Sequence, residues 1–405
     1  MSAAMSADEQ RGDSAEEVPA PPVALRTLSL RDFRNVARAD LVVPARGLVV
    51  VGPNGHGKTN LLEAIHYLHA LRSVRGARDP DLVRFDAEGF FVHATVAGAA
   101  AEDVRAGFLR QGKRKRVTLD GVERSRLADA LGAVPSVMFS PRDVELVGGS
   151  PTERRRFLDI MLATTSPRYL PALQRYRAAL VRRNATLREV ARHGHSPARI
   201  AVWEPALAEA AATLWVERVR WTRWAAPRMA ALCDAIGERE PVVLRYQTAL
   251  ASVAEDVGEE MIRERMAAAL ERDRSHDTRR GLTHSGPHRD DLSLLLGAHP
   301  LRAFGSAGQQ RTAAIALRLL ERETLRQRTG RSPIILLDDP FAELDAVRAS
   351  RILRLLADGE LGQTILVVPR GDDIPPAYTS LDRWSVRDGV FAPAGAASGA
   401  EAGDA

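Results

Sequence analysis

The sequence predicts an α/β fold built on a parallel sheet, with a small β lobe and a helical lobe inserted between the two halves of that sheet. A glycine-rich turn joins a buried strand to an apolar helix near residue 55, and a second buried strand ends in two acids near residue 338. A third segment, rich in glycine and small residues, opens another helix at about residue 306. Because Lys58 and Ser306 lie 248 positions apart, other structural units must interrupt the sheet.

Composition excludes several classes of protein. The 405 residues are enough for two or three structural units with a substantial core. No run approaches the ~18 to 20 apolar residues of a membrane span, and the first residues lack the apolar stretch of a secretory signal. The single cysteine, Cys233, excludes an internal disulfide and is expected to be a small buried hydrophobe inside a helix. These features indicate a soluble, cytoplasmic protein without a membrane partner.

The balance of charged residues gives one sharper indication. The net charge of +5 and the pI of about 9.7 are compatible with a polyanionic partner but do not prove one. Of the 57 basic residues, only Lys58, Lys113 and Lys115 are lysines. A lone lysine at a defined position suggests a site where the planar guanidinium of arginine would not fit.

Lys58 lies in such a position, in the stretch GLVVVGPNGHGKTNLLEAIHYL. The stretch matches G-x-x-x-x-G-K-[ST], follows a buried strand and precedes a helix with an apolar stripe, which is the context of a phosphate-binding P-loop. Backbone N–H groups would surround the phosphates, Lys58 would reach the outer phosphates and Thr59 would offer its hydroxyl to Mg²⁺. The alternative is a glycine-rich turn without a ligand. The predicted nucleotide-binding residues here are Gly52, Pro53, Asn54, Gly55, His56, Gly57, Lys58, Thr59 and Asn60.

The stretch SPIILLDDPFAELDAVRASRIL supplies the second half expected of such a site. Residues 334–337 form an apolar strand, after which Asp338 is predicted to bind Mg²⁺ and Asp339 to activate the attacking water. The ELD run of Glu343, Leu344 and Asp345 opens the next helix. Together with the P-loop, this arrangement indicates a nucleoside triphosphatase.

The stretch AFGSAGQQRTAAIALRLLER contains the third segment, which we call the GSAGQQR segment (residues 305–311). Its small residues leave room for close approach of a phosphate, and a helix starting near Gln309 is expected to present free N–H groups to it. Since the P-loop already holds one face of the nucleotide, Ser306, Gly308 and Gln309 are predicted to contact nucleotide bound to another subunit. The alternative is a flexible hairpin that leads into an ordinary helix.

The order of these segments resembles that of the ABC-type ATPase heads of SMC-like DNA proteins. Local runs narrow the resemblance to the RecF family, in that family's order and from Leu30 to Asp345. These runs are LRDFRNV, GPNGHGKTNLLEAI, SPRDVELVGGSPTERRRFLD, HSGPHRDDL, GSAGQQR and LLDDPFAELDAVR. The resemblance implies an ABC-type P-loop ATPase head with a small β lobe and an inserted helical lobe.

The resemblance also implies a function. ATP and Mg²⁺ would be the cofactors, Asp345 would lie in a loop near the nucleotide, and ATP binding would drive formation of a homodimer. The dimer would bind gapped DNA or junctions of single-stranded and double-stranded DNA. There it would help RecO and RecR to load RecA in DNA repair, replication restart and the SOS response. The ATPase would be weak, stimulated by DNA, and serve as a switch rather than in metabolism.

Alternatives from other classes are a transporter's nucleotide-binding subunit, another SMC-like ATPase and a P-loop kinase for a small substrate. A transporter head would place a glutamine where Ser140 follows the VMF strand, and a kinase has no use for the GSAGQQR segment. The chain also departs from the RecF pattern, since Arg142 stands where an acid is usual. Where ABC heads carry a histidine after a strand, this chain has Pro369, Arg370 and Gly371. Hydrolysis is therefore expected to be slow.

The predicted organisation has five parts. A disordered leader (1–23) precedes the first part of the head (24–149), which includes the β lobe at about 88–122. The helical lobe (150–280) separates it from the second part of the head (281–392), and a disordered tail (393–405) follows. The turn of the β lobe carries Lys113, Arg114, Lys115 and Arg116, either as a phosphate contact or as a solvated turn.

The helical lobe is expected to be compact rather than a long coiled-coil arm. Its breaks are predicted at Pro167, Pro171, Gly194, Pro197, Pro205 and Pro227. Its arginine clusters line a DNA groove or cover solvated helix faces; they are Arg154, Arg155, Arg156, Arg175, Arg177, Arg182 and Arg183. The tryptophans at helical spacing, Trp215, Trp221 and Trp224, are predicted to lie in the core rather than to stack on bases. The HSGPHRDD turn, with His284, His288, Asp290 and Asp291, is not expected to bind zinc.

Overall fold

The computed structural model describes residues 22–194, 196–248, 250, 258–341, 344–357 and 362–394. Nearly all of the predicted leader and tail, and Glu343 of the ELD run, lie outside the described residues. The strands are β1 (Ala24–Phe33), β2 (Val36–Val42), β3 (Gly47–Val51), β4 (Gly89–Ala97), β5 (Asp103–Leu109), β6 (Arg114–Leu119), β7 (Val122–Glu123), β8 (Ser136–Phe139), β9 (Val242–Gln247), β10 (Asp291–Leu296), β11 (His299–Pro300), β12 (Ile334–Asp338), β13 (Thr364–Val368), β14 (Asp382–Arg387) and β15 (Val390–Pro393). The α-helices are α1 (Lys58–Ala70), α2 (Glu145–Gly148), α3 (Pro151–Thr165), α4 (Tyr169–His193), α5 (Ala198–Ala201), α6 (Glu204–Ile236), α7 (Glu259–Arg280), α8 (Leu301–Phe304), α9 (Ala307–Thr329) and α10 (Ala346–Ala357).

A mostly parallel sheet of six strands, in the order β15-β14-β3-β13-β12-β8, forms the centre of the molecule. Its inner strands are short runs of Val, Ile and Leu that are buried on both faces, as parallel strands covered by helices require. The register pairs Asp338 at the end of β12 with Val367 of β13, and Val51 at the end of β3 with Val368. The segments that follow β3, β12 and β13 therefore emerge at the same edge of the sheet.

A second, antiparallel sheet of six strands has the order β2-β1-β4-β5-β6-β7. Here buried and more exposed residues alternate, which is typical of a sheet that faces the core on one side only. The prediction placed the β lobe at about 88–122, but its strands continue a sheet that starts at Ala24, because β1 pairs with β4 from Ala24 to Arg31. Helix α1 packs between the two sheets and shares a hydrophobic cluster with both.

The helical lobe consists mainly of α3, α4, α6 and α7, and its helices break at the predicted positions except at Pro227. Pro171 and Pro205 lie in the first turns of α4 and α6, where a helix tolerates proline because the missing N–H would have no partner. Pro227 lies inside α6, which runs without interruption for 33 residues. The prediction of a break was therefore wrong for Pro227, whereas Pro171 and Pro205 lie where new helices begin. The sequence analysis also missed β9, which pairs with β10 in a small third sheet.

The core of the lobe contains the residues predicted for it. Trp215 and Trp221 are buried, and the Trp221 indole donates to the Thr324 hydroxyl at 2.9 Å. Trp224 is half-buried with the Arg228 guanidinium over its ring. Cys233 is buried inside α6, which confirms the prediction of a small buried hydrophobe inside a helix. Burial raises the pKa of its thiol to about 12. None of the helices in the described ranges is long and apolar enough to cross a membrane.

Candidate nucleotide site

The P-loop (residues 52–57) connects β3 to α1, and two of its glycines have no room for a side chain. A Cβ atom on Gly52 would lie 2.5 Å from the carbonyl oxygen of Val386. Gly57 has a φ of +109°, and a Cβ there would lie 2.9 Å from the side-chain oxygen of Asn35. The loop is therefore a backbone-lined cradle, which is what a phosphate group requires for close approach.

Lys58 is the first residue of α1, and its side chain folds back over the loop. The ammonium donates to the carbonyl oxygens of Gly52 (2.5 Å) and Pro53 (2.9 Å) and to the side-chain oxygen of Asn54 (3.3 Å). Burial lowers the pKa of Lys58, whereas the carboxylates of Asp338 and Asp339 raise it. The positive charge thus lies at the mouth of the cradle, held by acceptors that a phosphate could replace.

Thr59 and Asp338 meet although 279 positions separate them in sequence. The Thr59 hydroxyl lies 3.0 Å from both carboxylate oxygens of Asp338, beside Lys58. Burial raises the pKa of Asp338, and the hydrogen bond from Thr59 opposes that shift. A hydroxyl and a carboxylate beside a phosphate cradle are oxygen ligands of the kind that Mg²⁺ uses with nucleotides. The residues present therefore fit a Mg²⁺-bound nucleoside triphosphate.

Asp339 follows directly and adopts a φ of +44°, in the left-handed region that is rare for residues other than glycine. Burial raises the pKa of Asp339, and the carboxylate of Asp373 raises it further. Asp373 lies in the segment after β13, where the sequence lacks the expected histidine. The sequence analysis did not single out Asp373, because an acid five residues beyond a strand carries no motif.

The P-loop is anchored by residues that the sequence analysis also missed. The ring Nδ1 of His56 accepts from the backbone N–H of Asp388, and the His56 carbonyl accepts from the N–H of Gly389, both in the β14–β15 turn. Asn60 donates to the side chain of Asn35 at 2.7 Å and accepts from Arg75. Asn35 belongs to the LRDFRNV run, so that run was a usable signal for the contact.

The GSAGQQR segment forms a different helix start from the one expected. Helix α9 begins at Ala307 rather than near Gln309, and Ser306 and Gln309 cap each other. The Ser306 hydroxyl accepts from the Gln309 N–H (3.3 Å), and the Gln309 side chain accepts from the Ser306 N–H (2.9 Å). The expectation that the helix presents its Gln309 N–H free is therefore corrected, because a capping box satisfies that donor. Gly308 still provides close approach, here to the Arg348 guanidinium.

Helix α9 reaches the other loops of the site through buried arginines. Arg311 donates to the Pro340 carbonyl just after Asp339, at 3.3 Å. Arg318 pairs with Asp143 at 2.7 Å and with Glu321 at 2.8 Å. Because Asp143 also accepts from the Ser140 N–H at 2.7 Å, the loop after β8 is fixed to α9. Arg142, the residue that departs from the RecF pattern, is exposed and lines the cleft described next.

A cleft of about 500 Å³ opens beside Thr59 and Asp338, between the P-loop helix and the loop after β8. Asp345 is bonded to Arg348, whose N–H it accepts at 2.9 Å, and Arg348 in turn donates to Thr312 of α9. The side chain of Asp345 thus contacts α10, and Arg348 connects it to α9. The structure brings Lys58, Thr59, Asp338 and Asp339 together, whereas Ser306, Gly308, Gln309 and Asp345 form a separate group around α9.

The side chains of several residues predicted to contact DNA instead form ion pairs and hydrogen bonds within the protein. Arg154 pairs with Asp291 at 2.8 Å, and Arg183, with no exposed surface, pairs with Glu204 and Asp277. Lys115 donates to the Leu71 carbonyl at 2.6 Å and lies 2.9 Å from Asp79. The remaining members of those clusters are exposed or half-buried; they are Lys113, Arg114, Arg116, Arg155, Arg156, Arg175, Arg177 and Arg182.

The side chains of the HSGPHRDD turn are likewise used in structural contacts. His284 lies 2.8 Å from Asp277, and Asp291 takes part in the pair with Arg154. His288 lies 2.5 Å from the Tyr176 hydroxyl, and Asp290 accepts from the Tyr246 hydroxyl at 2.6 Å. Within the described ranges, no group of three or more His, Cys, Asp or Glu side chains is arranged to hold a metal ion.

Comparison with known proteins places the chain in a family. Residues 24–374 match the family described as the RecF/RecN/SMC N terminal domain. The head domain of the Pyrococcus furiosus Smc protein has the same fold, with a TM-score of 0.50 and 17% identity over 91% of this chain and 95% of that one. The fold and the paired P-loop and acidic strand thus define an ABC-type ATPase head of the SMC-like class.

Relatives with higher sequence identity identify the family within this class. The DNA replication and repair protein RecF of Roseiflexus castenholzii is 37% identical over 91% of this chain and 99% of its own length, and that of Streptomyces avermitilis is 36% identical over 90% and 98%. A solved structure of the recombination mediator protein RecF-ATP in the RecFOR pathway superposes with a TM-score of 0.85 and 29% identity, covering 92% of this chain and 98% of that one. The chain belongs to the RecF family.

Proposed function

We propose that the protein is an ATP-dependent DNA-binding protein of recombinational repair. The observation that carries the proposal is the contact between Thr59 and Asp338 at the mouth of the P-loop, in a chain of the RecF family. Relatives named for DNA replication and repair, and a relative solved with ATP, support DNA and ATP with Mg²⁺ as its ligands. The protein acts in the cytoplasm on gapped DNA or single-strand to double-strand junctions. With RecO and RecR it assists RecA loading, replication restart and the SOS response.

Dimer formation on ATP binding is part of the proposal. Lys58, Thr59 and Asp338 hold one face of the nucleotide within a single chain. Ser306, Gly308 and Gln309 lie at the start of α9, where the positive end of the helix dipole and the small residues suit the phosphates of nucleotide on a second copy. Asp345, near the start of α10, contributes to the same face of the dimer.

Hydrolysis is slow and serves as a timer for the DNA-bound dimer. Asp339 acts on the attacking water with a short side chain, and its neighbour Asp373 is an acid rather than a histidine. When bound, Mg²⁺ supplies charge neutralisation at the outer phosphates. Turnover is expected below the ~1 to 10³ s⁻¹ typical of enzymes, and DNA is expected to raise it.

The dimer is tested with Ser306→Arg, which places a bulky cation where small residues allow close approach. We expect this variant to bind ATP as the parent does, to remain monomeric in light scattering with ATP, and to lose ATP-stimulated DNA binding. Ser196→Arg is the matched control, because Ser196 is an exposed serine before a helix in the helical lobe. A Ser306→Arg protein that dimerises as the control does, or a parent that stays monomeric with ATP, contradicts the proposed dimer.

A further inference from the structure

A second cleft, of about 360 Å³, lies outside the P-loop, between the loop that follows α1 and helices α3 and α4. We call it the arginine cleft, because five arginines and one carboxylate line it. The arginines come from four elements: Arg72 from the loop, Arg155 and Arg156 from α3, Arg177 from α4 and Arg218 from α6. The carboxylate is Asp159.

The one carboxylate is already shared inside the protein. Asp159 accepts from Arg218 and Arg177, each at 2.8 Å, and from the Tyr169 hydroxyl at 2.6 Å. Arg218, only 2% exposed, is further satisfied by the Tyr246 hydroxyl and the Pro287 carbonyl. Asp159 and Arg218 are therefore structural, and Asp159 has little capacity left to neutralise the other arginines.

The other three arginines have no carboxylate within ion-pair distance in the described part of the chain. Arg155 donates to the Asp290 carbonyl at 2.7 Å and to the Thr152 hydroxyl at 3.1 Å. Arg156 donates to the Ser73 carbonyl at 2.7 Å, and the Arg72 side chain has neither a hydrogen bond nor an ion pair there. Each guanidinium carries five N–H donors, so most of these donors remain available in the cleft.

The surroundings relieve this concentration of positive charge only in part. Burial and the charge of Arg218 lower the pKa of Arg155, while nearby carboxylates, those of Asp291, Asp159 and Asp290, raise it. Burial lowers the pKa of Arg72, and the nearby charges of Arg156 and Arg177 lower it more than Asp159 and Glu153 raise it. Burial also lowers the pKa of His288 to about 4, so the imidazole is neutral at pH 7 and adds no charge. A cleft whose planar donors outnumber the nearby carboxylate partners is chemically suited to an anion with several oxygens, of which phosphate is the commonest in cells.

We propose that the arginine cleft binds a phosphodiester of the DNA backbone. The assignment rests on the proposed function, which supplies DNA as the polyanion, and it adds the place where the backbone is held. Arg72, Arg155, Arg156 and Arg177 supply the donors, and the fork of each guanidinium matches two phosphate oxygens. Because these contacts reach the backbone, they position the DNA without reading its sequence.

The cleft is also connected to the nucleotide site. Arg156 bonds the Ser73 carbonyl, and a Cβ on Gly76 would lie 3.1 Å from the same guanidinium. Arg75, in the same loop, bonds Asn60 and Glu63 of α1, and Asn60 follows Thr59 directly. A phosphate that draws Arg72 and Arg156 inward therefore acts on the loop that supports the P-loop helix, and DNA bound here stimulates ATP turnover.

The test uses the full chain with ATP and a DNA duplex that carries a single-stranded gap, titrated at several salt concentrations. In Arg72→Gln/Arg177→Gln, Asp159 keeps its bonds to Arg218 and Tyr169, so the fold should be retained and can be checked by thermal unfolding. We expect about tenfold weaker DNA binding, a salt slope smaller by about one to two, and loss of DNA-stimulated turnover with basal turnover unchanged. Replacing Arg72→Gln in this double variant by Arg72→Lys keeps the charge at that position and should restore part of the DNA affinity.

The matched control is Arg182→Gln/Arg192→Gln, which also removes two exposed arginines and lies on the same helix as Arg177. Arg182 points about 140° away from Arg177 around α4 and stacks on Trp203. The control should bind DNA within about twofold of the parent, on the scale of a single lost surface contact. Equal DNA affinity in the cleft variant and the control overturns the inference and leaves the proposed function intact. A cleft that binds free nucleotide or an acidic protein instead of DNA would give this same result. A parent that binds no DNA overturns both.

Discussion

Helix α1 begins at the candidate nucleotide site and helix α9 begins in the separate group around Ser306, and the two helices are built into the molecule in different ways. Helix α1 has 13 residues, of which all but two are buried, and its polar contacts with the site come from its first turn. Helix α9 has 23 residues, and arginines along its length reach other loops, from Arg311 at Pro340 to Arg322 at the carbonyls of Leu355 and Leu356. Helix α1 holds a ligand locally, whereas α9 connects distant loops.

This difference separates the interactions that bind the nucleotide from those that connect α9 to other loops of the molecule. Lys58 and Thr59 face the cradle directly, so changes there should alter nucleotide affinity and little else. Arg318 joins α9 to the loop after β8 through Asp143, so a change there should alter the stability of the connection. Substitutions in α1 should therefore lower nucleotide affinity, whereas substitutions in α9 should lower stability.

The largest effect is expected from Lys58→Arg. The planar guanidinium keeps the charge but is too broad for a cradle whose glycines leave no spare room, so nucleotide affinity should fall by about 10³-fold, close to 4 kcal/mol. Titration with a fluorescent ATP analogue measures this change, and circular dichroism should show an intact fold. Lys113→Arg, on an exposed turn, is the control and should bind like the parent. Equal affinity in Lys58→Arg would refute the role assigned to Lys58.

The next effect concerns the ion pair of α9. Asp143→Asn removes the carboxylate from a pair in which both side chains are at most 10% exposed, so we expect the free energy of unfolding to fall by about 3 kcal/mol. Urea denaturation measures the loss. Glu123→Gln breaks an exposed contact with Arg114 and Arg116 and should change stability by less than about 0.5 kcal/mol. If the two variants lose the same stability, Asp143 does not anchor the loop.

Much of this comparison could be predicted from sequence, because short continuous runs of residues specify the features concerned. The P-loop and the acidic strand are each specified by a short run of residues, so their meeting through Thr59 and Asp338 follows once both strands are placed in one sheet. The capping box at Ser306 also had a local signal, since Gln309 lies three residues later. That signal was outweighed by the expectation of a phosphate at the same place.

The arginines show what sequence could not predict. Arg177 and Arg183 lie six positions apart on α4, and one is exposed beside Asp159 while the other is fully buried with Glu204 and Asp277. Their partners come from α3, α6 and α7, so the difference depends on packing between helices far apart in sequence. The same holds for Pro227, which stays inside α6 because tertiary packing outweighs its local preference.

The smallest effect is at the far end of α1, where His69 is buried and both ring nitrogens lack a hydrogen-bond partner among the described residues. Burial lowers the pKa of His69 from 6.5 to about 4. Between those values the unfolded chain binds a proton that the folded chain does not, so stability is fully present above pH 6.5 and is lost as the pH falls towards 4. From pH 7 to pH 5 this one residue should cost about 2 kcal/mol.

His69→Leu tests that effect, because leucine fills a similar volume and does not titrate. Its free energy of unfolding, measured with urea at pH 7 and at pH 5, should fall by about 2 kcal/mol less than that of the parent over this interval. Some acid sensitivity will remain, since burial also lowers the pKa of the neighbouring His66. His299→Gln, at an exposed position, should keep the parent's pH dependence. If His69→Leu also keeps it, the buried imidazole is not the source of the acid sensitivity.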